Sequence, residues 1–393
     1  MANLYNRLVR KSIEEGIPLA GQFEISPICN FHCGMCYVRQ SKAQTAGAGG
    51  LLPLNFWIDL AGQAAKEGML SILLTGGEPF LYPDFRRLYE TLYDMGFKMS
   101  VNSNGSLITE EDAAWLAARP PEKVSITLYG ASNATYERFC GVSNGFDKVS
   151  CGVQALADHK IRIRFNCTLG PVNAADLPDM IAFARGYGRS VRLTPYMTPP
   201  VRRTGVTGDF EGRFTARDAG YYTVYNEYLQ NKPEDFLRLA AKGMRFTELT
   251  PEALATAEAG PPGHMRCMSG RCSCWVDWQG NLSGCGMVML PAISLKQMPF
   301  EQAWERLKAW TKEFETAPAC ANCANRENCP SCLAMMLGEN GNAAERPAFL
   351  CEVRQYAAAY YREFADRLGQ DGIQAEEAAP DAVYTCLLDE ELF

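Results

Sequence analysis

Cys29-Asn30-Phe31-His32-Cys33-Gly34-Met35-Cys36 is the stretch from which the rest of the chain can be read. Its three cysteines stand at C-x3-C-x2-C spacing, directly behind Gln22-Phe23-Glu24-Ile25, an alternating run that predicts a short strand. A loop leaving a strand end can wrap three thiolates around one object. Three soft ligands so close together suit an iron–sulfur cluster better than zinc, because a closed structural zinc site takes four ligands. Three protein ligands on a four-iron cluster leave one iron open, and the open iron is where chemistry can take place.

A chain of 393 residues is long enough for two domains, or for one large barrel with an addition. Its net charge of -7 argues against nucleic acid as a partner. The start, Met1-Ala2-Asn3-Leu4-Tyr5-Asn6-Arg7, has no apolar targeting core, and no later run is long enough to span a bilayer. A cytoplasmic protein without a membrane partner is expected. Sixteen cysteines in such a chain argue for metal rather than disulfides. Nine of them fall between Cys267 and Cys351, so two metal-rich regions flank a middle with only Cys140, Cys151 and Cys167.

Residues 1–20 read as a helix and 22–26 as the first strand. Ala46-Gly47-Ala48-Gly49-Gly50 reads as a flexible connector, and 55–66 as a helix. The apolar run Met69 to Leu74 reads as a strand entering Thr75-Gly76-Gly77-Glu78-Pro79. Helices at 83–95, 109–118, 145–159 and 174–186 then alternate with strands at 98–102, 123–128, 161–168 and 190–195. This rhythm predicts a parallel α/β sheet behind helices, and six strands suit a partial (β/α)6 TIM-like barrel with chemistry at the strands' carboxyl ends. A small cysteine-rich iron–sulfur domain is expected to follow it. The boundaries are placed as an N-terminal helix (1–19), the barrel (20–200), an irregular, partly helical bridge (201–262), the cysteine-rich domain (263–368) and an acidic tail (369–393). Further helices are expected at Tyr221–Leu229, Pro251–Ala259, 300–315 and Arg354–Leu368.

Gly76 and Gly77 permit close backbone approach to a ligand, and Glu78 can accept hydrogen bonds from an ammonium. With the C-x3-C-x2-C loop one helix before it, the Gly76-Gly77-Glu78-Pro79 turn resembles the signature of the radical S-adenosylmethionine (radical SAM) family. That resemblance implies a four-iron cluster on Cys29, Cys33 and Cys36, with S-adenosylmethionine chelating the open iron. Reduction then cleaves the sulfonium and yields a hydrogen-abstracting 5′-deoxyadenosyl radical. It places Met35 near the adenine and the glycine-rich turn, through Pro79, at the cofactor's amino group. Ser103-Asn104-Gly105 is similar to the family's Thr-Asn-Gly turn. Thr127 keeps a hydroxyl where relatives carry Ser-Leu-Asp-Gly, although Tyr129 replaces the acid. Relatives often use an Arg-Gly pair for the cofactor carboxylate; Cys140-Gly141 stands there, so either Arg138, two residues earlier, takes over the pairing or the carboxylate is held otherwise. Asn166 is a further candidate for a ribose or carboxylate contact, and Cys140 for returning a hydrogen atom to a substrate radical. His32, His159 and His264 form no constellation.

The second region reads Cys267-x4-Cys272-x-Cys274, Gly280-x4-Cys285, Cys320-x2-Cys323-x5-Cys329-x2-Cys332, and Cys351. Paired C-x2-C spacings suggest zinc on their own, but nine cysteines exceed two such sites. The order looks like the SPASM extension of radical SAM enzymes, which holds two auxiliary four-iron clusters. By that resemblance one cluster uses Cys267, Cys272 or Cys274, Cys285 and Cys332. The other uses Cys320, Cys323, Cys329 and Cys351. If neither Cys272 nor Cys274 binds, the first auxiliary cluster has an open iron.

Three [4Fe-4S] clusters and S-adenosylmethionine are thus the expected cofactors. Members of the family often modify a peptide or protein side chain, by cross-linking or oxidation, and that is the expected function. A small alcohol or a tetrapyrrole or quinone-cofactor precursor is the alternative substrate, and a non-catalytic electron carrier the reading from another class. Gly286 stands where sulfatase-maturing relatives carry an Asp, which disfavours that activity. A flavodoxin or ferredoxin is the expected reductant. No separate domain for recognising a leader peptide is expected ahead of the cluster loop, and Arg202 and Arg203 are expected at the barrel entrance, facing acidic leader residues.

Overall fold

The fold, taken from a computed structural model, is described for residues 2–329 and 332–370. The tail's expected features, Cys386 and the apolar patch at 383–388, lie outside the described residues.

Six parallel strands follow one another in sequence order: β1 (Ala20–Ser26), β2 (Ser71–Gly76), β3 (Lys98–Ser103), β4 (Lys123–Thr127), β5 (Ile163–Thr168) and β6 (Val191–Thr194). They are the expected partial barrel. A short antiparallel pair, β7 (Gly263–His264) with β11 (Glu315–Thr316), stands apart. The cysteine-rich region does not fold as a separate layer. Its β8 (Ser273–Val276) adds to the free edge of β1 in parallel, Ala20 opposite Ser273 and Gln22 opposite Trp275. Antiparallel β9 (Asn281–Ser283) and β10 (Ile293–Ser294) continue outward, giving a nine-stranded sheet of order β10-β9-β8-β1-β2-β3-β4-β5-β6.

Alternation along the strands divides the sheet into two faces. Val124, Ile126, Ile163, Phe165 and Val191 join the core beneath the helices. Lys123, Ser125 and Thr127, with Arg164, Asn166, Thr168, Arg192 and Thr194, turn to the lumen. The outer face is covered by helices whose apolar stripes fit it: Leu54–Lys66 buries Trp57, Leu60, Ala61 and Ala64. Glu110–Ala118 starts at Thr109, whose side chain accepts from Asp112 N while Asp112 bonds back to Thr109 N.

The bridge is largely helical, through Ala216–Gln230, Pro233–Gly243 and Pro251–Glu258. Ala216–Gln230 packs on the last described helix, Ala348–Gln370, through Tyr221, Tyr225, Tyr228 and Phe364. Helices at Lys42–Gly47 and Asn133–Cys140 also depart from the expected reading. The first starts at Ser41, which forms a capping box with Gln44.

Candidate active site and metal centres

The cysteine loop is rooted on the glycine-rich turn. Gly77 N donates to Ser26 O at 2.7 Å and Glu78 N to Ile28 O at 2.9 Å. A Cβ at Gly76 would stand 2.3 Å from Ser26 O, and one at Gly77 2.5 Å from Ile28 O. Both glycines are therefore required by the close approach of two backbone segments, which presses the turn against the chain entering Cys29.

Glu78 is completely buried, and its oxygens are engaged: Ser103 Oγ donates to Oε1 at 2.8 Å, Phe80 N to Oε1 at 3.3 Å and Asn104 N to Oε2 at 2.8 Å. Burial pushes its carboxyl up to about 7 against these hydrogen bonds, which pull the other way. The expected direct contact with the cofactor's ammonium is not what this geometry offers. Glu78 instead braces the β2 turn against the β3 turn, and it is Gly76 and Gly77 that line the cavity. Pro79 opens the short 3-10 turn Pro79–Leu81 and is buried.

The β3 turn reaches back to the cysteines. Asn104 Nδ2 donates to Asn30 Oδ1 at 2.9 Å and faces Cys29 Sγ at 3.7 Å, while Asn30 Nδ2 donates to Ser106 Oγ at 2.8 Å. Phe31 N points at Cys29 Sγ and Arg39 N at Cys36 Sγ, each at 3.3 Å. Burial pushes Cys29 up to about 12, with the nearby Glu78, Cys33 and Cys36 adding to it. A thiol so placed is held as thiolate only by a cation. The donors suit a cluster: three thiols in one loop, with amides aimed at two of the sulfurs. Among the described residues no three His, Cys, Asp or Glu side chains converge on a single-ion site. Ligands on one zinc must all lie about 2.3 Å from it, whereas thiolates on different irons of a cluster stand further apart.

Cys140 ends the helix Asn133–Cys140, and Gly141 takes the left-handed conformation that closes it. Cys140 O accepts from His32 N at 2.7 Å, and its fully buried thiol engages Cys33, which pushes Cys140 up and Cys33 down. Cys140 is not among the cavity-lining residues. Arg138 is exposed and donates to Thr135 Oγ1 at 3.1 Å, also away from the cavity.

The cavity is about 650 Å3 and is lined by Cys29, Cys33, Cys36, Met35, Ser103, Asn104, Thr127 and Asn166. It extends to Trp275 of β8 and to Met287, two residues beyond Cys285. Sequence reasoning missed its cations: Arg39, Lys123, Arg164 and Arg192 line it, and no Asp or Glu does among the described residues. The every-second-residue runs Lys123-x-Ser125-x-Thr127 and Arg164-x-Asn166-x-Thr168 were the available signal. Asn30 and Ser106 were missed as well.

Cys267, Cys285 and Cys332 lie together: burial pushes Cys332 up to about 12, and the nearby Cys285 and Cys267 thiols add to it. Cys272 is close enough to Cys267 to sense it, but is fully buried among Val9, Leu19, Ala20 and Met268. Cys274, on β8, is buried in the main hydrophobic core beneath the helices and does not line the cavity. Cys320, Cys323, Cys329 and Cys351 form the other group; burial lifts Cys320 to about 12, and the other three thiols add to it.

Residues 23–184 match the radical SAM superfamily. The AdoMet-dependent heme synthase of Methanosarcina barkeri is 22% identical over 343 residues, 83% of this chain and 94% of that protein. The mycofactocin maturase MftC of Mycobacterium tuberculosis is 27% identical over 334 residues, 82% of this chain and 80% of that one. Among solved structures, SuiB of Streptococcus suis bound to S-adenosylmethionine aligns with a TM-score of 0.61 at 15% identity, over 88% of this chain and 78% of that one. SuiB bound to its precursor peptide SuiA aligns with a TM-score of 0.58 at 16% identity, over 85% and 77%.

Proposed function

This chain belongs to the radical SAM superfamily, with a C-terminal cysteine-rich region of the SPASM type, and from that premise we propose that it modifies a peptide or protein side chain, by cross-linking or oxidation. The loop cysteines Cys29, Cys33 and Cys36 would hold the cluster that works with S-adenosylmethionine. Cys267, Cys272, Cys285 and Cys332, and Cys320, Cys323, Cys329 and Cys351, would hold two auxiliary clusters. With S-adenosylmethionine bound and an electron delivered from outside, the centre at the loop cysteines would supply the chemistry of sulfonium cleavage and hydrogen-atom removal from substrate.

The chain's own residues do the holding. The Gly76-Gly77 backbone, Met35, Ser103, Asn104, Thr127 and Asn166 offer the cofactor a wall of amides, hydroxyls and one thioether beside the loop cysteines. Arg138 faces elsewhere, so Arg39 and Arg192 replace it as candidates for a carboxylate of cofactor or substrate. The Phe31 and Tyr129 rings line the cavity, and Phe31 packs edge-on against Tyr129 and Tyr136.

The observation that carries this reading is the cavity itself, whose lining includes the loop cysteines together with Trp275 and with Met287, which follows Cys285 by two residues. Oxidative closure of a new bond needs an electron acceptor near the substrate, and a cluster on Cys285 would supply one. MftC is named a maturase and SuiB was solved with a precursor peptide, which supports a peptide as substrate here. The test is anaerobic incubation of the reconstituted protein with S-adenosylmethionine, a flavodoxin or ferredoxin reductant, and the short peptides encoded beside its gene. A mass change in one peptide is expected; turnover of a small molecule with every peptide unchanged would replace this reading. The heme synthase relative and the cations of the lumen favour a carboxylate-bearing tetrapyrrole precursor as the second reading.

A further inference from the structure

Arg202 does not face the solvent. It belongs to the four-residue helix Val201–Thr204, and its guanidinium is turned inward onto Glu24 of β1, which is completely buried. The pair is bidentate, Nη1 to Oε2 at 2.8 Å and Nη2 to Oε1 at 2.9 Å, the geometry of an ionised guanidinium–carboxylate pair. The expected meeting of Arg202 with an acidic leader peptide is thereby overturned, since its donors are spent inside the protein.

Two further contacts give the pair a place between the metal loops. Arg202 Nη1 also donates to Gly286 O at 2.7 Å, the carbonyl directly after Cys285. Its guanidinium lies 5.7 Å from the ring centre of Tyr37, the residue directly after Cys36. Trp275 Nε1 donates to Glu24 Oε2 at 3.0 Å, and a Cβ at Gly286 would meet the Trp275 ring at 2.2 Å, so glycine is what lets the Cys285 turn settle on that ring. Arg203, the next residue, donates to Gly34 O inside the first cysteine loop. One short helix thus grips both loops, and Cys285 lies within electrostatic reach of Arg202.

A buried ion pair is weak evidence for stability, because apolar residues of similar volume often do as well. Placed one hydrogen bond from a metal-loop carbonyl, it has an electrical consequence that apolar residues would lack. We propose that the Glu24–Arg202 pair is a positioning device that fixes the Cys285 turn against the barrel and sets the reduction potential of the cluster held by Cys267, Cys285 and Cys332. This rests on the reading that those cysteines hold a redox cluster. With both partners present the pair itself carries no net charge, and Asp277 adds a nearby carboxylate. Removing the carboxylate charge leaves a buried cation, which favours the reduced cluster; removing the guanidinium leaves a buried carboxyl group that takes up a proton, so no net charge is left behind.

Full-length wild type, Arg202→Gln, Glu24→Gln and the double variant are reconstituted anaerobically, assayed for iron, and titrated potentiometrically with detection by electron paramagnetic resonance. The potential of that auxiliary cluster is expected to rise in Glu24→Gln, and to lie nearer wild type in Arg202→Gln and in the double variant, neither of which buries a net charge. No shift in Glu24→Gln, or the same shift in all three variants, would overturn the proposal and leave the pair a packing element. If a single variant fails to fold, the double variant, which buries no net charge, still decides: a potential far from wild type at full iron content overturns it. Failure of the underlying reading is separately visible, as wild-type protein with zinc or no iron at Cys267, Cys285 and Cys332.

Discussion

Ser103 Oγ donates to Glu78 Oε1 at 2.8 Å, joining the turns that end β3 and β2 through a carboxylate with no access to water. The consequence is a pH dependence. Burial lifts the Glu78 carboxyl to about 7, so between about pH 4.5 and 7 the folded chain holds a proton that the unfolded chain has lost. Stability contributed by this group is therefore greatest below the unfolded value and is lost as pH rises through the folded one. Glu78→Gln lacks this slope. Denaturant unfolding of the apo-protein should show wild type losing up to roughly 3 kcal/mol relative to Glu78→Gln between pH 5 and 8. A difference that does not change with pH would contradict the assignment.

Gly77→Ala places a methyl group where Ile28 O already stands, 2.5 Å from the ideal Cβ. The turn and the root of the cysteine loop must separate, at a cost of about 1–3 kcal/mol, typical of overpacking. Binding of S-adenosylmethionine, read by calorimetry, should weaken at least tenfold. Unchanged affinity would show that the close approach of these segments does not matter for the cofactor.

The six barrel strands were legible because alternating and apolar runs of strand length recur with helix-period segments between them, and those signals are local. The cofactor turns were legible for the same reason: Gly76-Gly77-Glu78-Pro79 and Ser103-Asn104-Gly105 are each contiguous. What the sequence hid is long-range. Nothing near Arg202 announces that its partner is Glu24, 178 residues earlier, so the side chain read as a surface charge. Ser273–Val276 could not be read as an extension of the barrel, because pairing with β1 joins segments some 250 residues apart. The helix Asn133–Cys140 is too short to show a full apolar stripe, yet its last turn carries the carbonyl that receives His32 N.

The two neighbouring cysteines of the second region, Cys272 and Cys274, sit in different hydrophobic clusters. Cys274 lies on β8 in the main core beneath the helices, whereas Cys272 is within electrostatic reach of Cys267. Cys274→Ala should leave the iron content unchanged and cost about 1 kcal/mol of packing. Cys272→Ala should change the resonance spectrum of the first auxiliary cluster alone. Loss of iron from Cys274→Ala would exchange the two assignments.

Three four-iron clusters correspond to about twelve irons per chain. Replacing Cys29, Cys33 and Cys36 together with Ala should remove about a third of the iron and leave the absorbance of the rest. Iron assay and visible spectroscopy check this. Stoichiometric zinc in the C-terminal region would sink the auxiliary clusters.

The central claim is that the loop cysteines and the glycine-rich turn together cleave S-adenosylmethionine. Anaerobically reconstituted wild-type protein, reduced and given S-adenosylmethionine, should form 5′-deoxyadenosine and methionine in equal amounts, measured by chromatography and mass spectrometry. The Cys29, Cys33 and Cys36 triple variant should form neither. Reduced protein with all its clusters that yields no 5′-deoxyadenosine, even with candidate peptides present, would contradict the account.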